Sequence, residues 1–259
     1  MNTKIRERKH KNDLVVDIYA KLIKIMNVLI TGATRGIGKQ LLLKFLADGC
    51  TVWAISKNAF TLTSDEVLTK FVELKKLHPV NLDFTNLPQV STVCSNLAKQ
   101  VSEMDIVINN SGLLLNESIE NISLDQIENV YRVNVFSPFL IMQHFLPVMG
   151  KKNRGHIVNI GSMGGIQGSV KFAGLSIYSS SKMALGGLTE CLAEEMKDKN
   201  ISINCLAIGS VQTEMFSEAF PGFKAQQSPE SMADFIYDFS LKAKNFISGK
   251  IIPVSVSTP

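Results

Sequence analysis

From Asn27 onward, short runs of β-branched and aliphatic residues alternate with longer amphipathic segments, and this alternation restricts the possible folds more than any other property of the chain. Asn27 to Thr31 (NVLIT) reads as a buried strand, after which Ile37, Leu41, Leu42, Phe45 and Leu46 recur at helical spacing. Thr51 to Ser56 (TVWAIS) is the next strand, a third ends near Leu82, Pro88 opens a helix, and Asp105 to Asn109 (DIVIN) is a fourth strand. Ser123 is placed to cap a long helix running to about Met149, His156 to Ile160 (HIVNI) is a strand, and a helix follows from about Ser176 to Lys197. Ile201 to Ala207 is strand-like, Ser228 with Pro229 starts another helix, and Lys250 to Val254 gives a last strand. Repeated strand–helix units predict an α/β fold with a doubly wound parallel sheet, helices covering both faces in three αβα layers.

The 259 residues suit one large α/β domain over 26–259, with 1–25 as a basic, flexible N-terminal extension. The net charge of +4 belongs to that extension: it holds seven of the 27 basic and three of the 23 acidic residues, so the remaining 20 of each sign cancel. A neutral body lacks the footprint of a nucleic-acid binder. Asp17, Lys21 and Lys24 interrupt the apolar stretch of the extension, so a signal peptide is not expected, and the longest apolar runs fall far short of the roughly 20 residues that span a bilayer. Cys50, Cys94, Cys191 and Cys205 stand singly, as expected of reduced thiols in a cytoplasmic protein; neither disulfides nor a metal site is implied.

Thr31-Gly32-Ala33-Thr34-Arg35-Gly36-Ile37-Gly38 lies between the first strand and the first helix, where a dinucleotide's pyrophosphate meets helix N-terminal amides. Gly32 permits a tight turn, Gly36 lets backbone approach phosphate, and Gly38 lets the helix pack closely on the strand. A strand before the turn and an amphipathic helix after it favour a nucleotide-binding Rossmann fold over a purely structural bend. The second strand ends at Ser56-Lys57-Asn58 with no carboxylate to bond a ribose 2′-hydroxyl. Lys57 and Arg35 instead offer two cations to a 2′-phosphate, so NADP(H) is favoured and NAD(H) remains possible.

Tyr178 and Lys182 sit four residues apart on one helical segment, which puts an ammonium beside a phenol. A tyrosine with a reference pKa near about 10 works poorly as a neutral-pH acid or base unless a cation stabilises its phenolate. Taken alone, the pair reads more readily as two solvated helix residues, since such spacings are common. In order along the chain, however, the motifs resemble the short-chain dehydrogenase/reductase family from Met26 to the C-terminus. The cofactor turn Gly32, Gly36, Gly38 is similar to that family's, with Thr34, Arg35 and Ile37 inside it, and Asn109-Asn110-Ser111-Gly112 resembles its Asn-Asn-Ala-Gly element, placing Asn110 at the cofactor. Asp83 matches the acidic residue that contacts adenine, and Asn134 the asparagine of the long connecting helix. Ser162, Tyr178 and Lys182 match the catalytic residues, and Gly209 with Thr213 matches the Pro-Gly-x-x-x-Thr element that contacts nicotinamide. Three departures stand out: Ser111 replaces alanine, Ile208 replaces proline and is expected to loosen the loop, and the interval from Ser162 to Tyr178 is about three residues longer than is common, altering the substrate wall.

The resemblance implies an NADP-preferring oxidoreductase that interconverts a carbonyl and a secondary alcohol. Tyr178 would move the proton, Ser162 would fix the carbonyl oxygen, Lys182 would favour the phenolate and hold ribose hydroxyls, and Asn134 would hold a water or brace its helix. The alternatives are a catalytically silent Rossmann redox sensor or scaffold, and an epimerase or dehydratase on nucleotide sugars, whose relatives resemble a longer chain with other glycine spacing. Met215, Phe216, Phe220 and Phe223, with Met163, Phe172 and Leu175, suggest an apolar carbonyl substrate or equally a lid or subunit contact. The resemblance also implies a homodimer or homotetramer through the helices near Asn134 and Tyr178.

Overall fold

A computed structural model of the protein describes residues 26–256; the basic extension at 1–25 lies outside the described residues. The strands are β1 (Asn27–Thr31), β2 (Thr51–Ser56), β3 (Leu77–Asn81), β4 (Ile106–Asn109), β5 (Gly155–Ser162), β6 (Ile201–Ile208) and β7 (Ile251–Val254). They form one sheet in the order β3-β2-β1-β4-β5-β6-β7, and every pairing is parallel. The chain works outward from β1 to β3, returns to place β4 on the other side of β1, and then works outward again. The crevice between the carboxyl ends of β1 and β4 is therefore the topological switch point, where open α/β sheets bind ligands.

Successive residues of β1 enter opposite cores, which is why the strand reads as a continuous apolar run. Val28 and Ile30 pack with Leu41, Leu42 and Phe45 of α1 (Gly36–Ala47) and with Ile236 of the last helix. Leu29 points the other way, into a core shared with Val90 and Cys94 of α3 (Leu87–Gln100), and with Ile141 and Phe145. Each fully buried Leu, Ile or Phe contributes roughly 1.5–3 kcal/mol relative to exposure, so both cores hold the sheet rigidly beneath the crevice.

The sequence does not announce α2 (Glu66–Glu73), a short helix capped by Asp65, whose Oδ1 accepts from Val67 and Leu68 amides. The long helix expected from Ser123 to Met149 begins as read, with Ser123 and Gln126 forming a capping box at α4 (Leu124–Tyr131). It then passes through one π-helical turn at Arg132–Phe136 before continuing as α5 (Ser137–Phe145). The remaining helices are α6 (Ser176–Glu195), the short α7 (Glu214–Ala219) and α8 (Pro229–Lys242), the last capped by Ser228 as its sequence predicts. Among the described residues no helix is long and apolar enough to cross a membrane.

Candidate active site

The glycine turn has the geometry its sequence requires. Gly32 and Gly36 have φ of +67° and +52°, in the left-handed region that favours glycine. At Gly38 a Cβ would stand 2.0 Å from the Gly32 carbonyl oxygen, so any larger residue would force the start of α1 off the turn. Arg35 occupies the N-cap position of α1 without a side-chain capping bond, whereas α2, α3, α4, α7 and α8 are each capped by Asp, Asn, Ser or Thr. The first amides of α1 are thus left for a ligand's anionic group. A cavity of about 680 Å³ opens here between Thr34, Arg35 and Gly36 on one side and Gln212, Thr213 and Glu218 on the other. Ile37 turns its side chain into the core, so only its backbone serves this site.

Asn110, placed by its sequence at the cofactor, is bonded to the glycine turn. Its Nδ2 donates to the carbonyls of Thr31 (3.0 Å) and Gly32 (3.2 Å), and the Thr31 hydroxyl accepts from the amides of Asn110 and Ser111. The asparagine pins β4 to the glycine turn and so shapes the crevice through backbone. Beside it the Ser111 hydroxyl is buried with no hydrogen-bond partner, 3.2 Å from where a Gly32 Cβ would stand. An orphaned polar atom at the switch point, and an uncapped helix whose first residues border a cavity, fit a dinucleotide.

Both cations expected to read a 2′-phosphate are exposed and ion-paired. Lys57 Nζ lies 2.8 Å from Asp83 Oδ2, so two residues nominated separately for the cofactor's adenosine end are each other's partners. That hydrogen bond, helped by Thr85, holds the Asp83 carboxyl at a pKa of about 2 and raises that of Lys57. Arg35 reaches Glu218 of α7 at 3.1 Å.

At the other end of the crevice the groups are anchored to backbone. The Ser162 hydroxyl accepts from the Gly164 amide at 3.3 Å and is close enough to the Tyr178 phenol to favour its ionised form. Lys182 is 5 % exposed, its Nζ donates to the Ile160 carbonyl at 2.8 Å, and it lies 5.8 Å from the centroid of the Tyr178 ring. Ile160 lies just past the last β4–β5 pair, Asn109 with Asn159, which leaves its position in β5 open to a side chain. Asn134 is fully buried: its Oδ1 accepts from the Leu113 amide (2.8 Å), and its Nδ2 donates to the Leu113 carbonyl (3.0 Å) and the Ser181 hydroxyl (2.9 Å). The π-helical turn places it there, as such turns often do at functional sites.

Burial dominates the electrostatics. It raises the Tyr178 phenol above its ordinary value, with the neighbouring Ser162 hydroxyl pulling the other way. It also lowers Lys182 to about 8, the nearby Cys205 thiol slightly opposing this. The sequence expectation that Lys182 depresses the Tyr178 phenol is therefore not met in the protein alone: desolvation outweighs an ammonium whose bond goes to Ile160.

Several residues that build the cleft carry little signal in the sequence. Gly164 and Gly165 let the chain after Ser162 lie on α6, since Cβ atoms there would meet the Ser179 hydroxyl at 2.9 Å and the Lys182 carbonyl carbon at 2.8 Å. The longer interval before Tyr178 is accommodated by Gly174, φ +81°, which accepts from the Glu117 amide and packs on Asn116. Asn116 in turn donates to the Ala219 carbonyl at 2.8 Å, joining this wall to α7. Thr213 caps α7, and its methyl group would stand 3.2 Å from a Cβ on Gly36. Gly209 is needed for a close approach, because a Cβ would lie 2.6 Å from the Ser255 hydroxyl. Ile208 in place of proline does not loosen this loop: it extends β6 by one residue and pairs with Val254.

Comparison with known proteins agrees with this geometry. The chain is 30% identical over 239 residues to the 3-oxoacyl-(acyl-carrier-protein) reductase FabG of Aquifex aeolicus, covering 88% of this chain and 94% of that protein. It is 29% identical to the NADP-dependent 3-hydroxy acid dehydrogenase of Schizosaccharomyces pombe, covering 85% and 88% of the two chains. The solved structure of ElxO with NADP bound superposes with a TM-score of 0.77 at 28% identity, over 90% of this chain and 98% of that one. With the short chain dehydrogenase family matching residues 26–222, across the glycine turn and the Ser162–Tyr178–Lys182 cluster alike, this chain belongs to that family.

Proposed function

We propose that this protein is an NADP-preferring oxidoreductase that interconverts a carbonyl and a secondary alcohol, with Tyr178 as the acid and base. The observation that carries this reading is the Tyr178 phenol next to Ser162, with a buried Lys182 5.8 Å from its ring, at the carboxyl edge of the sheet that also carries the glycine turn. The bound nicotinamide supplies or accepts the hydride. Tyr178 delivers a proton to the carbonyl oxygen in reduction and removes it in oxidation. Ser162 donates to the same oxygen and fixes its distance from the phenol. Lys182 has two free donors beyond the Ile160 bond for ribose hydroxyls, and its positive charge favours the phenolate once a ligand organises the site. Asn134 braces the Leu113 backbone and Ser181, which positions the turn from α4 to α5 against the catalytic helix.

Gly32, Gly36 and Gly38 shape the phosphate cradle, Thr34 and Ile37 contribute to its rim, and Arg35 with Lys57 takes the 2′-phosphate. Asp83 borders the adenosine, Asn110 holds the crevice open, and Gly209 and Thr213 approach the nicotinamide. The S. pombe dehydrogenase and ElxO support NADP. The apolar flanks of the cleft, with exposed Leu113, Phe172 and Phe223, support an apolar carbonyl compound. Exposed Phe136, Phe139 and Met183 on the helices around Asn134 and Tyr178 support a homo-oligomer, and four free cysteines support a reducing, cytoplasmic setting. A panel of carbonyl compounds followed by NADPH oxidation tests the assignment: turnover of at least one is expected, and dinucleotide binding with no turnover would sink it.

A further inference from the structure

The cation that would read the 2′-phosphate is already engaged, and its partner belongs to the short helix over the cleft. Arg35 of the glycine turn and Glu218 of α7 are 183 residues apart in sequence, yet the guanidinium donates to the carboxylate at 3.1 Å, with side chains 53% and 66% exposed. α7 is tied from its other side by Asn116, which donates to the Ala219 carbonyl, and its cap Thr213 lies against Gly36. Glu214 and Glu230 line the same cavity, and Lys39, its other cation, is paired with Asp65 at 3.3 Å. A ligand entering here thus meets carboxylates on the α7 side and finds Arg35 committed to one of them.

We infer that Glu218 is a specificity-determining residue that competes with the cofactor's 2′-phosphate for Arg35. The inference rests on the NADP reading given above. A doubly charged phosphate displaces a solvent-exposed carboxylate from a guanidinium because its charge-assisted bonds are stronger. A 2′-hydroxyl has no charge with which to do so. Glu218 accordingly lowers NADPH affinity in proportion to the strength of its ion pair and leaves NADH affinity untouched. It also links the adenosine end of the cleft to the position of α7.

The test is equilibrium binding of NADPH and of NADH, read by dinucleotide fluorescence, to the full chain and to Glu218→Gln, Arg35→Ala and the double variant. Glu218→Gln is expected to bind NADPH about threefold more tightly, as an exposed ion pair allows, and NADH unchanged. In the Arg35→Ala background the same change should have no effect. An equal shift for both dinucleotides, no shift, or a shift that survives loss of Arg35 overturns the inference. If the unaltered chain shows no preference for NADPH and Arg35→Ala changes neither affinity, the cofactor reading has failed and the inference falls with it. A preference that depends on Arg35 but not on Glu218 removes the inference alone.

Discussion

The two ends of the crevice are built to opposite standards. At the Tyr178 end the polar groups are buried and bonded to backbone: Lys182 to the Ile160 carbonyl, and Asn134 to both polar atoms of the Leu113 main chain. At the adenosine end, Arg35 and Lys57 stand in water, and each leans on a carboxylate from a distant segment. Proton transfer depends on distances held to a fraction of an ångström, which only packed, hydrogen-bonded groups maintain. Discrimination between a phosphate and a hydroxyl needs only a charge within reach, and an exposed charge is screened and readily re-paired. On the function proposed above, chemistry is therefore set in the rigid half of this protein and cofactor preference in the adjustable half.

Substitutions should reveal the contrast in their sizes. Tyr178→Phe is expected to cut turnover by ~10³-fold, measured as NADPH oxidation with any accepted carbonyl, while dinucleotide affinity stays within about twofold. A variant retaining turnover would break the rigid half of the comparison at its centre. Next comes His156, fully buried at the start of β5, with Nδ1 donating to the Ser240 carbonyl at 2.8 Å and Nε2 accepting from Asn204 at 3.1 Å. Burial lowers its pKa to about 4, so the folded chain resists a proton that the unfolded chain binds below about 6.5. Stability should fall as pH drops from about 6.5 to 4, by about 3 kcal/mol in total, and flatten below that. Urea titrations across this range would show it, and a His156→Asn variant should lack the step. Asp83, in the exposed half, has the same sign in a lower window: its carboxyl is held at about 2, so its contribution is present above about 4 and lost only below. Because its lysine partner is in solvent, that step should be much the smaller, and equality of the two would undo the contrast.

Gly38→Ala places a methyl group against the Gly32 carbonyl and should weaken NADPH binding about 30-fold, equivalent to about 2 kcal/mol of overpacking. Smallest among these, Arg35→Ala combined with Lys57→Ala should reduce the NADPH over NADH preference about tenfold without altering kcat on saturating cofactor. An unchanged preference in direct binding would move cofactor discrimination elsewhere.

What the sequence discloses divides along the same line. Strand–helix alternation, the glycine turn and the Tyr178–Lys182 spacing are local patterns, and local patterns follow from periodicity and sterics. The ion pairs are not local: Arg35 meets Glu218, and Lys57 meets Asp83, only after the sheet is assembled. Each cation was legible as a charge near the cofactor, yet its partner was not. Asn110 was legible as a site residue, but its amide holds the glycine turn, a role that no spacing encodes. The same holds for Lys182, whose charge could be read while the burial that lowers it could not.

The π-helical turn at Arg132–Phe136 has one more consequence. Such a turn amounts to one residue inserted into an otherwise regular helix, and each residue advances an α-helix by about 100°. Deleting a single residue there would give a smoother, better-bonded helix and would rotate Asn134 away from Leu113, or carry α5 out of phase with its core. The stretch therefore cannot be regularised without uncoupling α4, α5 and the catalytic helix, and stabilising redesigns of this protein should leave its length alone.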